Sequence, residues 1–289
     1  MLIGKKIFNL CKKLWPLNRS ITGEGTRETL RQLKKIVPKL KIKEIRSGKK
    51  VFDWTIPQEW KVEDAYILTP EEKKICDFKI NNLHLLNYSV GVNKKISLDK
   101  LQKNLFSIKE LPDAIPYKTS YYNKKWGFCL SYNERKKLKK GIYQVNIKAS
   151  HFKGSMSYGE IIIKGESNKE IFLSSYICHP SMANNEISGP SVLINLTKWI
   201  QSIKKRKYTY RIVFIPETIG SIAYLHQNYK ILKKNVLAGF NLTCLGDNRT
   251  YSFLPSRIGT TLSDRVAINI LKKVYPKFKK YSWLERGSD

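Results

Sequence analysis

The sequence predicts an α/β fold, a doubly wound, mainly parallel sheet with an inserted, mainly β domain. In the C-terminal half of the 289-residue chain, strand-like apolar runs alternate three times with helical periodicity, which is the pattern of repeated βα units. Between about residues 41 and 137 the pattern changes to short extended segments rich in Tyr and Trp, which are typical of half-buried pleated surfaces. With 42% hydrophobic residues, the chain can bury the core that this fold needs.

These patterns divide the chain into two predicted domains. Residues 1–40 and 138–289 are assigned to the α/β domain, and residues 41–137 to the inserted β-rich domain. One short helix is expected within the insertion, near residues 98–105, where Ser97 can serve as its N-cap.

Two amphipathic helices are predicted near the N-terminus. Apolar residues recur at spacings of three and four over residues 3–14 and again over 26–37, and a proline follows each segment. The apolar faces of these helices need cover, and the β-rich domain has its own helix. We therefore expect both N-terminal helices to pack on the sheet that contains the predicted strand 170–178.

The chain is strongly basic, with a formal net charge of +31 at pH 7. Such a charge raises the question of a nucleic-acid or anionic-surface partner. The surplus is mostly lysine, scattered through nearly every segment, and the sequence has no aromatic-basic motif of a known RNA- or DNA-binding type. These features argue against a nucleic-acid partner and favour a solvated, lysine-rich surface.

The cysteines and the apolar runs bear on the cellular setting. Five widely spaced cysteines form no CxxC pair, as expected of reduced thiols. The N-terminal segment carries lysines among its apolar residues and lacks a small-residue cleavage site, and no apolar run reaches transmembrane length. We therefore predict a cytoplasmic protein without a membrane span.

The predicted strand 170–178 leads into the most informative loop. Its bulky residues do not alternate strictly with polar ones, which suits a strand covered on both faces. His179 follows directly, and Asn185 and Glu186 lie in the polar loop before a helix that opens at Gly189. Ligands of open α/β sheets bind at the carboxyl ends of the strands, so these side chains are candidate site residues.

Further polar side chains follow the later strands. Glu217 comes after the strand YTYRIVFIP, Asp247 after NVLAGFNLTCLG, and Asp289 closes the chain. One histidine and several carboxylates at one sheet edge are the donor set of a zinc hydrolase. Such a site also needs a carboxylate that accepts a proton from the water that zinc activates, and Glu217 is the candidate base.

Each of these residues also has a purely structural interpretation. A single histidine after a strand is more often a loop or core residue than a ligand. Glu217, next to Pro216, fits the start of a helix, where the helix dipole stabilises a carboxylate. Asp247, between Gly246 and Asn248, fits a turn. Only the combination of these residues favours a metal site.

Several segments together resemble one family. They are RSITGEGTRETL, VFDWTIPQEW, CHPSMANNEISGP, PETIGSIAYL, LPSRIGTTLSDRVA and RGSD. They are similar to segments of the aminopeptidase-like proteins linked with polysaccharide biosynthesis, which are relatives of the di-zinc aminopeptidases. The resemblance extends over essentially the whole chain and implies a zinc-aminopeptidase-like fold with an inserted β domain. It also implies that His179 is a zinc ligand and that Glu217 is the general base.

Differences from the family pattern determine how many zinc ions we expect the chain to bind. Asn185 stands where the family has an aspartate ligand, and a neutral amide oxygen is a weaker zinc donor than a carboxylate. Glu186 is the next candidate ligand in the same loop. Thr218 stands where the relatives have a second glutamate, and Asp247 matches a further family aspartate only loosely. The expectation is at most one zinc ion, at low occupancy.

The family pattern also continues beyond RGSD with a later histidine ligand, whereas this sequence stops at Asp289. His84, His151 and His226 are not evident replacements, and a structural role is predicted for all three.

Two functional hypotheses follow. The first is a zinc-dependent aminopeptidase-like hydrolase that acts on a small peptide or another amide in polysaccharide or cell-envelope biosynthesis. The second is a truncated, catalytically degenerate homologue that keeps the fold and binds a ligand or partner without turnover. His179 and Glu217 favour the first hypothesis, whereas Asn185 and the end of the sequence favour the second. Little or no aminopeptidase activity is expected of the 289-residue chain, and the oligomeric state is left open.

Overall fold

The structure is a computed structural model that describes residues 2–285. Its α-helices are α1 (Ile3–Leu14), α2 (Glu24–Ile36), α3 (Leu98–Gln102), α4 (Tyr132–Lys136), α5 (Ser188–Ser202), α6 (Ile219–Asn235) and α7 (Leu262–Val274). Its strands are β1 (Lys41–Arg46), β2 (Lys50–Val51), β3 (Trp54–Thr55), β4 (Glu59–Leu68), β5 (Lys74–Ile75), β6 (Val92–Ser97), β7 (Leu105–Phe106), β8 (Phe128–Cys129), β9 (Ile142–Phe152), β10 (Ser155–Ile163), β11 (Ser167–Tyr176), β12 (Tyr208–Ile215), β13 (Val236–Asn241), β14 (Ser252–Phe253) and β15 (Lys279–Lys280).

The chain folds into two compact units. The α/β unit comprises the residues up to 21, residues 25–56 and those from 156 onwards, and the β unit comprises residues 22–24 and 57–155. The sequence pattern predicted the boundaries of the inserted domain at residues 41 and 137. The bounds differ because β1 joins the sheet of the α/β unit, whereas β9 is a central strand of the β unit.

The sheet of the α/β unit is mixed, and the prediction of a mainly parallel sheet was wrong in this respect. The strand order is β1–β10–β12–β11–β13. Strand β11 pairs in parallel with β12 and β13, as the βα repeats predicted, but β10 pairs antiparallel with β12. The physical reason is the connection between β10 and β11, which is too short for a crossover helix and therefore reverses the chain direction.

Helices cover both faces of this sheet, which agrees with the doubly wound prediction. On one face, α1, α2 and α5 share a hydrophobic core with the sheet strands; this core includes Leu10, Leu14, Leu30, Leu33, Leu193, Ile194, Leu173, Ile212 and Phe214. On the other face, Tyr224 of α6 packs against Phe172 of β11, with ring centres 6.0 Å apart. The prediction that the two N-terminal helices pack on this sheet is confirmed.

The β unit has its own antiparallel sheet, in the order β5–β4–β9–β6. Its core includes Ile67, Tyr143 and Val145, each at most 1% exposed. The short helix predicted near residues 98–105 is present as α3, which ends at Gln102; Ser97 lies at its N-cap position, but its side chain makes no capping hydrogen bond.

No helix in the described part of the chain is long and apolar enough to cross a membrane. No disulfide joins the cysteines, all of which lie within residues 2–285.

Candidate functional site

His179 lies between two carboxylates at the carboxyl edge of the mixed sheet. Its Nδ1 is 2.8 Å from Glu186 Oε2, and its Nε2 is 2.9 Å from Glu217 Oε2. The histidine is 8% exposed, so water has little access to either contact. The structure thus brings together three of the residues that the sequence analysis selected.

Glu186 reaches His179 from a π turn that leads into α5. The turn spans Ala183–Ile187, and the backbone N–H of Ile187 donates to the carbonyl of Met182 at 3.1 Å. A π turn is one residue wider than an α turn and is frequent at functional sites. Glu186 lies in this wider turn with 1% of its surface exposed. Sequence patterns do not reveal such a turn.

Arg19 completes the site, and the sequence analysis missed it. Its Nε donates to the carbonyl oxygen of His179 at 2.9 Å and lies 3.7 Å from Glu186 Oε1. Its Nη1 donates to the carbonyl of Leu14, which ties the site to the end of α1. The only signal in the sequence was the position of Arg19 at the start of the family-like segment RSITGEGTRETL. Arg19, His179, Glu186 and Glu217 are called the His179 cluster below.

Glu217 is held in the turn between β12 and α6. Its backbone N–H donates to Sγ of Cys178 at 3.2 Å. The next residue, Thr218, has a φ of 55°, which is uncommon for a β-branched side chain. Backbone strain of this kind persists only where the surroundings fix it, and it is frequent at functional sites. The turn holds the Glu217 carboxylate against the His179 ring.

The electrostatics of the His179 cluster favour a protonated histidine in this arrangement. Burial opposes the charged ring, but the hydrogen bonds and charges of Glu186 and Glu217 outweigh burial and raise the pKa of His179 to about 9. Burial lowers the pKa of Arg19, and the charge of Glu186 opposes that shift. Two cations and two carboxylates then balance, which is the condition for burying charges at this depth.

The donor atoms fit one metal ion. Cys178, His179 and Glu186 form a buried group whose ligand atoms all lie within 4.8 Å of one another. Glu186 Oε1 and Asn185 Oδ1 are buried oxygens without a hydrogen bond, and both are donor types that a cation accepts. Thiolate, imidazole and carboxylate are the ligands of zinc sites in proteins. A second ion would need further carboxylates, whereas Asn185 and Thr218 stand where the family resemblance implies carboxylates.

The remaining predicted site residues have other surroundings. The Asn185 amide nitrogen donates to Sγ of Cys244 at 3.8 Å. Asp247 pairs with Arg249 and accepts a hydrogen bond from Asn184 at 3.0 Å. These contacts lower the pKa of Asp247 to about 2. They are the contacts of a turn, which was the alternative interpretation of Asp247 from the sequence. Asp289 lies outside the described residues.

The other histidines make contacts of a structural kind. His84 Nδ1 lies 2.8 Å from the carbonyl oxygen of Cys129 in the β unit. In the α/β unit, His226 packs edge-on against Phe52, with ring centres 5.0 Å apart. His151 packs against Tyr88 in the β unit, with ring centres 4.6 Å apart.

Comparison with known proteins shows which family the chain belongs to. Residues 8–289 match the family described as a domain of unknown function, DUF4910. A Clostridium acetobutylicum protein, provisionally named as a polysaccharide biosynthesis protein with an aminopeptidase-like domain, is 42% identical over 286 residues. That alignment covers 99% of this chain, and the chain spans 65% of the length of this relative.

Solved structures give the same result for the fold. A crystal structure of a provisionally assigned peptidase from Clostridium acetobutylicum superposes with a TM-score of 0.94 at 42% identity, covering 99% of this chain and 67% of that one. A zinc aminopeptidase from Bacillus subtilis superposes with a TM-score of 0.66 at 12% identity, covering 96% of this chain and 78% of that one. At that identity the likeness concerns the fold alone. The chain therefore belongs to the DUF4910 family of aminopeptidase-like proteins, and it has the fold of the zinc aminopeptidases.

Proposed function

We propose that this chain is an aminopeptidase-like hydrolase domain that cleaves a peptide or another amide with the help of one zinc ion. The observation that carries the proposal is the position of His179 between Glu186 and Glu217, at 2.8 and 2.9 Å. It lies at the sheet edge where α/β folds bind ligands. The name of the Clostridium acetobutylicum relative suggests a substrate in polysaccharide biosynthesis.

Three residues would hold and orient the ion. Each ring nitrogen of His179 contacts a carboxylate, Nδ1 that of Glu186 and Nε2 that of Glu217, so His179 would lose a proton before it could bind the ion. Glu186 and Cys178 belong to the same buried donor group and would offer a carboxylate oxygen and a thiol. When bound, zinc would supply a Lewis acid for the amide carbonyl and would lower the pKa of water.

Glu217 is the proposed general base. The Glu217 side chain is 11% exposed, and its carboxylate accepts a hydrogen bond from His179 Nε2. Once the proton of this hydrogen bond has left the ring, the carboxylate is available to accept a proton from water in the same position. Arg19 supports the arrangement, because it balances the charge of Glu186 and binds the carbonyl of His179.

One observation favours a second candidate, a homologue that binds a ligand or partner without turnover. The His179 cluster is already charge-balanced by a proton on the histidine, so the fold does not need a metal to compensate its carboxylates. Asn185 removes one carboxylate ligand of the family pattern. Hydrolysis is therefore expected to be slow.

The two candidates are separated by assaying aminoacyl p-nitroanilides with metal-free protein and with added zinc. The proposal predicts slow hydrolysis that requires zinc and is lost in Glu217→Gln, since the amide cannot accept a proton. Glu110→Gln, which makes the same change at an exposed position, should retain the activity. Zinc binding without hydrolysis above the level of Glu217→Gln would support the non-catalytic homologue instead.

A further inference from the structure

The β unit contains a cavity of about 500 Å³ that belongs to neither the zinc proposal nor the His179 cluster. This volume lies within the usual range of small-molecule sites. The polar and aromatic residues that line it include Gln58, Tyr88, Tyr122, Asn123, Lys124 and His151. Among the lining residues, all within the described part of the chain, none is a carboxylate.

Two tyrosines at this cavity have a strained backbone. Tyr88 has a φ of 68° and Tyr122 a φ of 62°, both in the left-handed region that non-glycine residues rarely adopt. The Tyr88 ring is buried and packs edge-on against His151, with ring centres 4.6 Å apart. Tyr122 is 51% exposed, so about half of its surface faces the solvent. Strained residues that cluster at a cavity suggest a binding function.

Two backbone segments that line the cavity lie close together. A Cβ atom at Gly91 would lie 2.6 Å from the carbonyl oxygen of Ala149, so only glycine permits this close approach of the two segments. Gly91 and Ala149 both line the cavity. Glycine at position 91 therefore permits the close packing of two backbone segments that line the cavity.

We propose that this cavity binds a saccharide that carries a carboxylate. A sugar ring has an apolar face of C–H groups, which packs against the electron-rich face of an aromatic ring such as Tyr122. Its hydroxyl groups both donate and accept, as do the amides of Gln58 and Asn123. Lys124 supplies the cation that pairs with the sugar carboxylate.

The charges at the cavity favour this ligand over the other classes. Without an acidic side chain, the cavity has no oppositely charged partner for the amino group of a peptide. A nucleotide phosphate is usually held by several cationic or backbone donors, whereas the only fixed cation among the lining residues, all of them described, is Lys124. The net charge of +31 also raises the local concentration of anionic polymers.

Calorimetric titration of the chain with tri-galacturonic acid, maltotriose, AMP and a tripeptide tests the proposal. Tri-galacturonic acid should bind, and maltotriose should bind about tenfold more weakly because it lacks the carboxylates. Tyr122→Ala should weaken the binding of both saccharides by at least about tenfold, whereas Tyr122→Phe should retain it. Lys124→Ala should reduce the affinity for tri-galacturonic acid to that for maltotriose.

Tyr132→Ala, which truncates a tyrosine of the β unit outside the cavity, is the matched control and should leave binding unchanged. Unaltered binding of tri-galacturonic acid by Tyr122→Ala would indicate attraction to the basic surface alone and would overturn the proposal. Binding of neither saccharide, or binding of AMP or the tripeptide in their place, would overturn it as well.

Discussion

Two buried clusters of charged residues in the α/β unit each combine one arginine with two glutamates, but they differ in how they are built. In the Arg211 cluster, Arg211 of β12 binds Glu170 of β11 through two nitrogens, at 2.6 and 3.0 Å, and Glu160 of β10 at 2.9 Å. Tyr224 of α6 also donates to Glu160. All four side chains come from regular elements, and strand pairing fixes the positions of Arg211, Glu160 and Glu170.

The His179 cluster is assembled from loops instead. Its carboxylates contact a histidine, which can exchange its proton for a metal ion, whereas the Arg211 guanidinium keeps its charge at all relevant pH values. It also retains a buried carboxylate oxygen, Glu186 Oε1, without a hydrogen bond. These differences fit a stabilising role for the Arg211 cluster and the metal-binding role that we propose for the His179 cluster.

The largest expected effect is on stability, at Arg211. Arg211→Met leaves Glu170 buried without its cation and Glu160 with Lys43 as its remaining cation, which should cost about 3–5 kcal/mol of the free energy of unfolding. Urea denaturation measures this loss. Arg31→Met, which removes an exposed pair with Glu28, is the control and should cost under about 1 kcal/mol. Equal losses at the two positions would contradict the structural role of the Arg211 cluster.

The second effect is a pH dependence of stability that comes from His179. Its pKa in the folded chain is about 9, above the unfolded value of 6.5. The contribution to stability is therefore complete below about pH 6.5 and is lost as the pH rises to about 9, a change of about 3 kcal/mol. Denaturation of metal-free protein across this range should show the loss. His179→Gln should remove this component, and identical profiles for the two proteins would contradict the assigned shift.

The third effect is on zinc affinity, because zinc and the proton compete for the same nitrogen. Metal binding requires the neutral imidazole, so the affinity should rise about tenfold per pH unit between about pH 7 and pH 9. Competition with a chromophoric chelator measures it. His226→Ala, which alters a histidine outside the cluster, should keep the same slope. A flat profile would mean that zinc binds without displacing the His179 proton.

The smallest effect is expected from Asn185→Asp. A carboxylate at this position restores a ligand type of the family pattern, and zinc affinity should rise by about tenfold or less. Full turnover should not return, because Thr218 still stands at the position of the second family glutamate. Asn248→Asp adds the same charge at an exposed position and serves as the control. No difference between the two variants would show that Asn185 does not face the ion.

Much of the fold was readable from the sequence, because it rests on local signals. Apolar periodicity predicted α1, α2 and the three βα repeats, and strand ends predicted where His179 and Glu217 meet. The mixed direction of the sheet was not readable, because strand pairing is decided by tertiary contacts rather than by the pattern of β10 itself.

Two parts of the site lay beyond sequence reasoning for different reasons. Arg19 lies shortly after α1, whose basic residues are exposed to solvent. No local feature of the sequence distinguishes Arg19 from those residues. The π turn at Ala183–Ile187, which carries Glu186 to His179, depends on one extra residue per turn that no residue type encodes.

The most direct test of the account is the zinc content of the purified chain after saturation and removal of free metal. Mass spectrometry under native conditions counts the ions per chain. We predict one weakly held zinc ion at most in the unmodified chain and none in His179→Ala. Two tightly held ions, or the same zinc content in His179→Ala, would contradict the assignment of His179, Glu186 and Cys178 as a single-metal site.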